Sequence, residues 1–208
     1  MQATARSIII DFFGVVASFD ESILYRRIAE ACRDPGSAFG ALRGLPSTPS
    51  LIEGRTSLEE VHEKLVAELG LNLSFQSFHE LWLQPYSAPM PGFASLLKEL
   101  SSQYRLVLLS NVDRYYFEAI RSLHPELGYF ATLLVSYEMG FSKPNAQAFH
   151  AALRAAEAPA QLCFFLDDKP ENIDAAQSLG IKGHVFTTTS ACRTTLASVG
   201  LLAQRGDA

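Results

Sequence analysis

Asp11 follows the apolar run Ile8-Ile9-Ile10, and Asp167-Asp168 follow Phe164-Phe165-Leu166. Carboxylates set directly after short apolar runs are of the type that hold hard cations or attack electrophiles. Two adjacent carboxylates repel each other unless a cation or a lysine offsets them. Lys143, in Gly140-Phe141-Ser142-Lys143-Pro144, is a lysine in a comparable loop, and Ser110-Asn111 after Val107-Leu108-Leu109 adds a hydroxyl and an amide. Each residue has a plain alternative. Asp11 suits a turn, Ser110 or Asn111 a helix cap, Lys143 a solvated surface, and one aspartate of the pair a cap for a helix starting near Pro170. All these alternatives must hold at once for the set to carry no chemistry, whereas one shared sheet edge accounts for every member.

The elements that must position these residues are short strands. Ser7–Ile10 is β-branched and apolar, as a buried strand should be. Arg105–Leu109, Leu133–Ser136, Leu162–Leu166 and Gly183–Phe186 read as further strands. They alternate with helices that start from Pro91 and cover Asp113–Leu123, Asn145–Ala156, Pro170–Leu179 and Ala191–Val199. Strands alternating with helices imply right-handed crossovers and a parallel sheet with helices on both faces. In such a sheet ligands bind at the carboxyl ends of the strands, where Asp11, Ser110-Asn111, Lys143 and Asp167-Asp168 all fall. Residues 18–88 are different. Glu21–Cys32, a capping box at Ser57-Leu58-Glu59-Glu60 closed by Gly70, and Phe75–Trp82 before Pro85 read as helices, with Pro35–Pro49 as loops around one short helix. No further strand is evident there. The expected organisation is a core of 1–17 and 89–208 with an all-helical insertion, 18–88, holding its own apolar cluster.

Composition sets bounds. The 208 residues are 48% hydrophobic and 19% charged, as in an ordinary soluble globular protein. A formal charge of −5, with no basic run, argues against a general nucleic-acid binder. No apolar stretch approaches the ~20 residues of a membrane span, and Asp11 interrupts any leader-like run at the N-terminus. Cys32, Cys163 and Cys192 are widely spaced and form neither a zinc pattern nor a disulfide framework. A reducing, cytoplasmic setting is therefore expected. The histidines show no metal spacing, and Arg205-Gly206-Asp207 reads as a chance triplet in a frayed tail.

With these motifs in order, the chain resembles the haloacid dehalogenase superfamily, in the subfamily whose helical cap is inserted directly after the first strand. Asp11 matches motif one, Ser110-Asn111 motif two, Lys143-Pro144 motif three, and Phe164-Phe165-Leu166-Asp167-Asp168-Lys169-Pro170-Glu171-Asn172 the acidic motif four. The resemblance implies a Rossmann-like α/β core with a helical cap. It also implies a Mg²⁺-dependent phosphohydrolase acting on a small phosphorylated metabolite. Asp11 would be the nucleophile, with Ser110 and Lys143 catalytic beside it. Mg²⁺ would lie on Asp11, Asp168 and the backbone carbonyl of Phe13, with Asp167 a direct or outer partner. Asn111 and Asn172 would serve the substrate side, Asn172 by orienting a metal-bound water or Lys143.

One position departs from that pattern. Phosphatases of the family usually carry a second aspartate two residues after the nucleophile, as general acid and base, and Phe13 stands there. General acid–base catalysis is worth about 10²–10⁴-fold. Its loss matters least when the leaving group departs readily, as from an acyl phosphate or an anomeric sugar phosphate. One alternative is a metal-independent 2-haloacid dehalogenase, a branch that also lacks this aspartate. A second is a fold that binds without turnover. Asp167-Asp168 speaks against dehalogenation, because uncompensated carboxylates would repel an anionic haloacid. Arg114 is expected to cover a neighbouring helix rather than meet a phosphate, and the Glu53-Gly54-Arg55 turn is a candidate to face the site.

Overall fold

The structure, a computed structural model, describes residues 6–84 and 87–203. The chain opens with β1 (Ser7–Ile10) and the short β2 (Ala17–Phe19), then runs through α1 (Glu21–Glu30), α2 (Pro35–Ala41), α3 (Pro49–Ile52), α4 (Leu58–Leu69) and α5 (Phe75–Trp82). β3 (Ser87–Pro89), α6 (Phe93–Ser101), β4 (Arg105–Ser110), α7 (Arg114–Ile120), β5 (Thr132–Val135) and α8 (Ser136–Met139) follow. The remainder is α9 (Ala146–Ala156), β6 (Cys163–Asp167), α10 (Pro170–Ser178), β7 (Lys182–Val185) and α11 (Thr189–Ser198).

Five strands form a parallel sheet in the order β5-β4-β1-β6-β7. The order reverses at β1, which makes the carboxyl edge beside it a crevice for ligands. Register brings the reactive residues level: Ile10 lies opposite both Leu108 and Leu166, so Asp11 and Asp167 emerge side by side. Successive residues of β1 point to opposite faces. Ile8 and Ile10 join Leu96 and Leu97 of α6 and Phe117 of α7 on one face, while Ile9 meets Phe149 of α9 and Ile173 of α10 on the other.

The strands and helices of the parallel α/β region stand where the sequence places them, to within a few residues. α4 has the expected capping box, with the Glu60 N–H donating to Ser57 Oγ (3.1 Å) and the Ser57 N–H to Glu60 Oε2 (2.7 Å). Four details differ. Residues 18–88 are not strand-free at their ends, because β2 and β3 pair antiparallel, with Ala17 opposite Pro89. α6 begins at Phe93 after a left-handed Gly92, so Pro91 lies outside it. Ser136 starts α8 instead of ending β5. The apolar residues of the helical segment, such as Leu24, Ile28, Phe78 and Trp82, also do not form a cluster of their own. They are continuous with Ile8, Ile10 and Phe12, because the loop after β1 (Phe12, Val15, Val16) packs into both. Pro85 and Arg205-Gly206-Asp207 fall outside the described residues. Among the described residues no helix is long and apolar enough to cross a membrane.

Candidate active site

At the carboxyl edge of the sheet one lysine joins two strands. Lys143 Nζ lies 2.8 Å from Asp11 Oδ2 and 2.6 Å from Asp167 Oδ2, and its side chain is 1% exposed. The free oxygen of each carboxylate is also used. Phe12 N–H donates to Asp11 Oδ1 at 2.7 Å, and Asn172 Nδ2 and the Lys169 N–H each donate to Asp167 Oδ1 at 2.9 Å. Asn111 braces the loop that carries Lys143, donating to the Lys143 carbonyl (2.8 Å) and accepting from its N–H (2.9 Å). Asn111 and Asn172, expected to face substrate, thus both line the cavity and both hold a charged member of the site in place.

Burial works against every charge in this group. It raises the Asp11 pKa in spite of Lys143, with Asp167 and Asp168 adding to the rise. Burial also pushes Asp167 upward, but Lys143, Asn172 and the Lys169 N–H outweigh it and leave its pKa below the ordinary value. Asp168 is raised by burial and by Asp167. Lys143 is disfavoured by burial, yet Asp11 and Asp167 hold its pKa above normal. Within this group three carboxylates face one ammonium, and Lys169 adds a second cation on the cavity lining.

Asp11, Asp167 and Asp168 each offer an oxygen within 4.8 Å of the others. Asp168 Oδ1 is buried with no hydrogen-bond partner among the described residues. Nor is the Phe13 carbonyl engaged by any donor among them, whereas the Phe12 carbonyl accepts from the N–H groups of residues 15, 16 and 17. An all-oxygen set with an orphaned carboxylate oxygen and a surplus of negative charge fits a hard divalent cation. Gly14 makes this approach possible. Its φ is +84°, and a Cβ there would stand 2.3 Å from Asp168 Oδ2.

A cavity of about 510 Å³ opens over Asp11, Lys143 and Asp168. The Phe13 ring forms part of its wall, 4.8 Å from Phe19 and 5.8 Å from Tyr116 between centroids. Ser110 is brought to the same edge but is fully buried behind the wall, and its hydroxyl also has no partner among the described residues. The sequence reading missed Asp113. It caps α7 by accepting from the Tyr116 N–H (3.0 Å), accepts from Trp82 Nε1 at 3.3 Å, and lines the cavity while buried. Burial raises its pKa against those bonds. The signal available in sequence was an aspartate two residues past Asn111, but its partner Trp82 is distant in the chain.

The Glu53-Gly54-Arg55 turn meets the loop that carries Lys143. Ser142 Oγ donates to Glu53 Oε1 at 2.7 Å, Glu53 pairs with Arg55, and Ser136 Oγ donates to the Ile52 carbonyl at 2.6 Å. Glu53 stays outside the main cavity, whose wall at this point is Ile52. The Arg114 guanidinium lies 5.6 Å over the Tyr137 ring and lines a separate cavity of about 310 Å³, away from Lys143. His124 is buried against Glu126 at 2.7 Å, which is a packing role.

Comparison with known proteins gives the same frame. A sesquiterpene phosphatase from Aspergillus oryzae is 30% identical over 106 residues, 50% of this chain and 54% of that protein, so the match spans about half of that relative. A D-ribitol-5-phosphate phosphatase from Bacteroides thetaiotaomicron is 22% identical over 184 residues, 85% of this chain and 89% of the other. A HAD family enzyme of the same bacterium, crystallised with magnesium and inorganic phosphate, superposes with a TM-score of 0.76 at 20% identity, over 89% of this chain and 96% of that one. An L-2-haloacid dehalogenase from Xanthobacter autotrophicus gives 0.63 at 15% identity, over 96% and 85%. The model of the haloacid dehalogenase-like hydrolase family matches residues 5–180, which takes in every strand-end residue of the site. The chain belongs to the haloacid dehalogenase-like hydrolases.

Proposed function

We propose that this hydrolase is a phosphatase of small molecules, with Asp11 as its nucleophile and Mg²⁺ as its cation. The observation that carries the reading is the buried Asp11–Lys143–Asp167 network beside the orphaned oxygen of Asp168. Asp11, Asp168 and the Phe13 carbonyl would hold the ion, with Asp167 beside them. When bound, it supplies positive charge toward the phosphate oxygens. Lys143 offsets the repulsion between Asp11 and a phosphate dianion, and opposes the burial that raises the Asp11 pKa. Asp11 attacks phosphorus, the bond to the leaving oxygen breaks, and that oxygen takes the electron pair. Water then attacks phosphorus of the aspartyl-phosphate, freeing inorganic phosphate and Asp11. Helices α1–α5, with the ribbon β2–β3 at their root, act as a cap that shields the intermediate from bulk water.

No acid stands at position 13 to protonate the leaving oxygen, so substrates with a stabilised leaving anion are favoured. Acyl phosphates and anomeric sugar phosphates are examples. A Mg²⁺-supplemented screen of phosphorylated small molecules tests this. Phosphate release is expected, falling about 10³-fold or more in Asp11→Asn. Activity that persists in Asp11→Asn would place the nucleophile elsewhere.

The aromatic residue at position 13 also suits metal-free 2-haloacid dehalogenation, as an alternative. Against it stands Asp168, whose buried Oδ1 has no hydrogen-bond partner among the described residues and would face an anionic substrate. Chloroacetate turnover surviving EDTA would reverse the preference.

A further inference from the structure

Beyond Asp11 and Lys143 the cavity changes character. Phe13 and Phe19 contact each other and both contact Tyr116, with centroids 4.8, 5.8 and 5.5 Å apart. Trp82, Leu24 and Ile52 extend this wall from the helical segment. Among the described residues the cations on the lining are Lys143 and Lys169, and Lys143 is held by Asp11 and Asp167. Glu21, Asp113 and Glu171 add negative charge. A leaving group bearing a second phosphate or a carboxylate would meet repulsion here.

Four neutral polar side chains on the lining already make hydrogen bonds within the protein. Ser47 Oγ donates to Glu21 (2.9 Å) and Ser142 Oγ to Glu53 (2.7 Å). Asn111 is taken at both ends by the Lys143 backbone, and Asn172 donates to Asp167. Against the Phe13, Phe19, Leu24 and Ile52 side of the lining a polyhydroxylated leaving group would lose its water and gain no partner, which is costly. An apolar one would lose nothing and bury its surface. We propose that the leaving group is apolar and uncharged, so that the substrate class is the aryl monophosphate rather than the sugar phosphate. This inference rests on the phosphatase reading and narrows it. A phenolic oxygen also meets the demand set by Phe13, because the phenolate carries the electron pair from the broken P–O bond without an enzyme acid and takes its proton from water.

The test compares kcat/KM with Mg²⁺ for acetyl phosphate, glucose 1-phosphate, phenyl phosphate and 2-naphthyl phosphate. Phenol and naphthol are of similar acidity, so the step between the last two reads apolar contact and not leaving ability. A rise of roughly tenfold from phenyl to naphthyl is expected, with glucose 1-phosphate below both. Phe19→Ser should shrink the naphthyl-to-phenyl ratio toward one, with circular dichroism checking that the variant is folded. Hydrolysis of acetyl or glucose phosphate with no gain from phenyl to naphthyl would overturn the inference and leave the phosphatase reading standing. No release from any of the four would overturn both.

Discussion

Phe13 places an aromatic ring where a proton-transferring carboxylate would be useful, and that ring is part of a packed aromatic group. Two effects of Phe13→Asp therefore oppose each other. A carboxylate could serve a poor leaving group, for which general acid catalysis offers up to about 10²-fold or more. Removing the ring costs packing, of the order of 3 kcal/mol for a buried phenylalanine and less for this half-buried one. The expected outcome is a less stable protein whose alkyl-to-aryl phosphate rate ratio rises. An unchanged ratio would mean that position 13 does not face the leaving oxygen. Lys143 acts differently, because it is the one ammonium between Asp11 and Asp167. Lys143→Met leaves two carboxylates facing each other, and breaking a buried pair costs about 3–5 kcal/mol. Thermal unfolding without added metal should show a fall of about 10 °C or more, and a loss of only a degree or two would mean that the pair contributes little.

At the scale of elements, the strand ends were legible because each is announced locally: a β-branched or aromatic run, then a polar residue. The capping box of α4 was legible for the same reason, since both partners lie within one turn. β2 and β3 were not, because each has three residues and their pairing joins Ala17 to Pro89 across the whole helical segment. Asp113 was missed because a helix cap is an ordinary role for an aspartate. It is buried and accepts a hydrogen bond from Trp82 of α5, a contact no local pattern announces. The burial of Asp113 has a pH signature. Burial lifts Asp113 above the ordinary carboxylate value of about 3.9, so the folded form holds the proton more tightly than the unfolded chain. The stability it contributes is complete below that value and is lost as pH rises through the folded pKa. Asp113→Asn keeps an acceptor for the Tyr116 N–H but cannot ionise. Its stability relative to the native chain should therefore improve between pH 4 and pH 7, read from urea midpoints. An offset that does not change with pH would remove Asp113 from the pH dependence.

For the molecule as a whole, the continuity of the apolar core matters more than the division of the chain. Residues from β1, the loop after it, α1, α4, α5, α6 and α7 share one cluster, so the helical segment and one face of the sheet are expected to unfold together. The proposed cation site hangs on that same loop, where Gly14 meets Asp168. A ligand that binds only the folded state stabilises all of a cooperative unit, by about 2.7 kcal/mol at a hundredfold excess over its Kd. For a chain of this size that corresponds to a rise of about 5–10 °C. Saturating Mg²⁺ should therefore move the entire melting transition upward as one step, and EDTA should return it. In Asp168→Asn, which replaces a carboxylate oxygen with an amide, the shift should shrink to a degree or two. Gly14→Ala should behave similarly, because its methyl would displace Asp168. A full shift in both variants would place the cation away from this loop. A transition that split in two on adding Mg²⁺ would mean that the helical segment unfolds independently of the sheet.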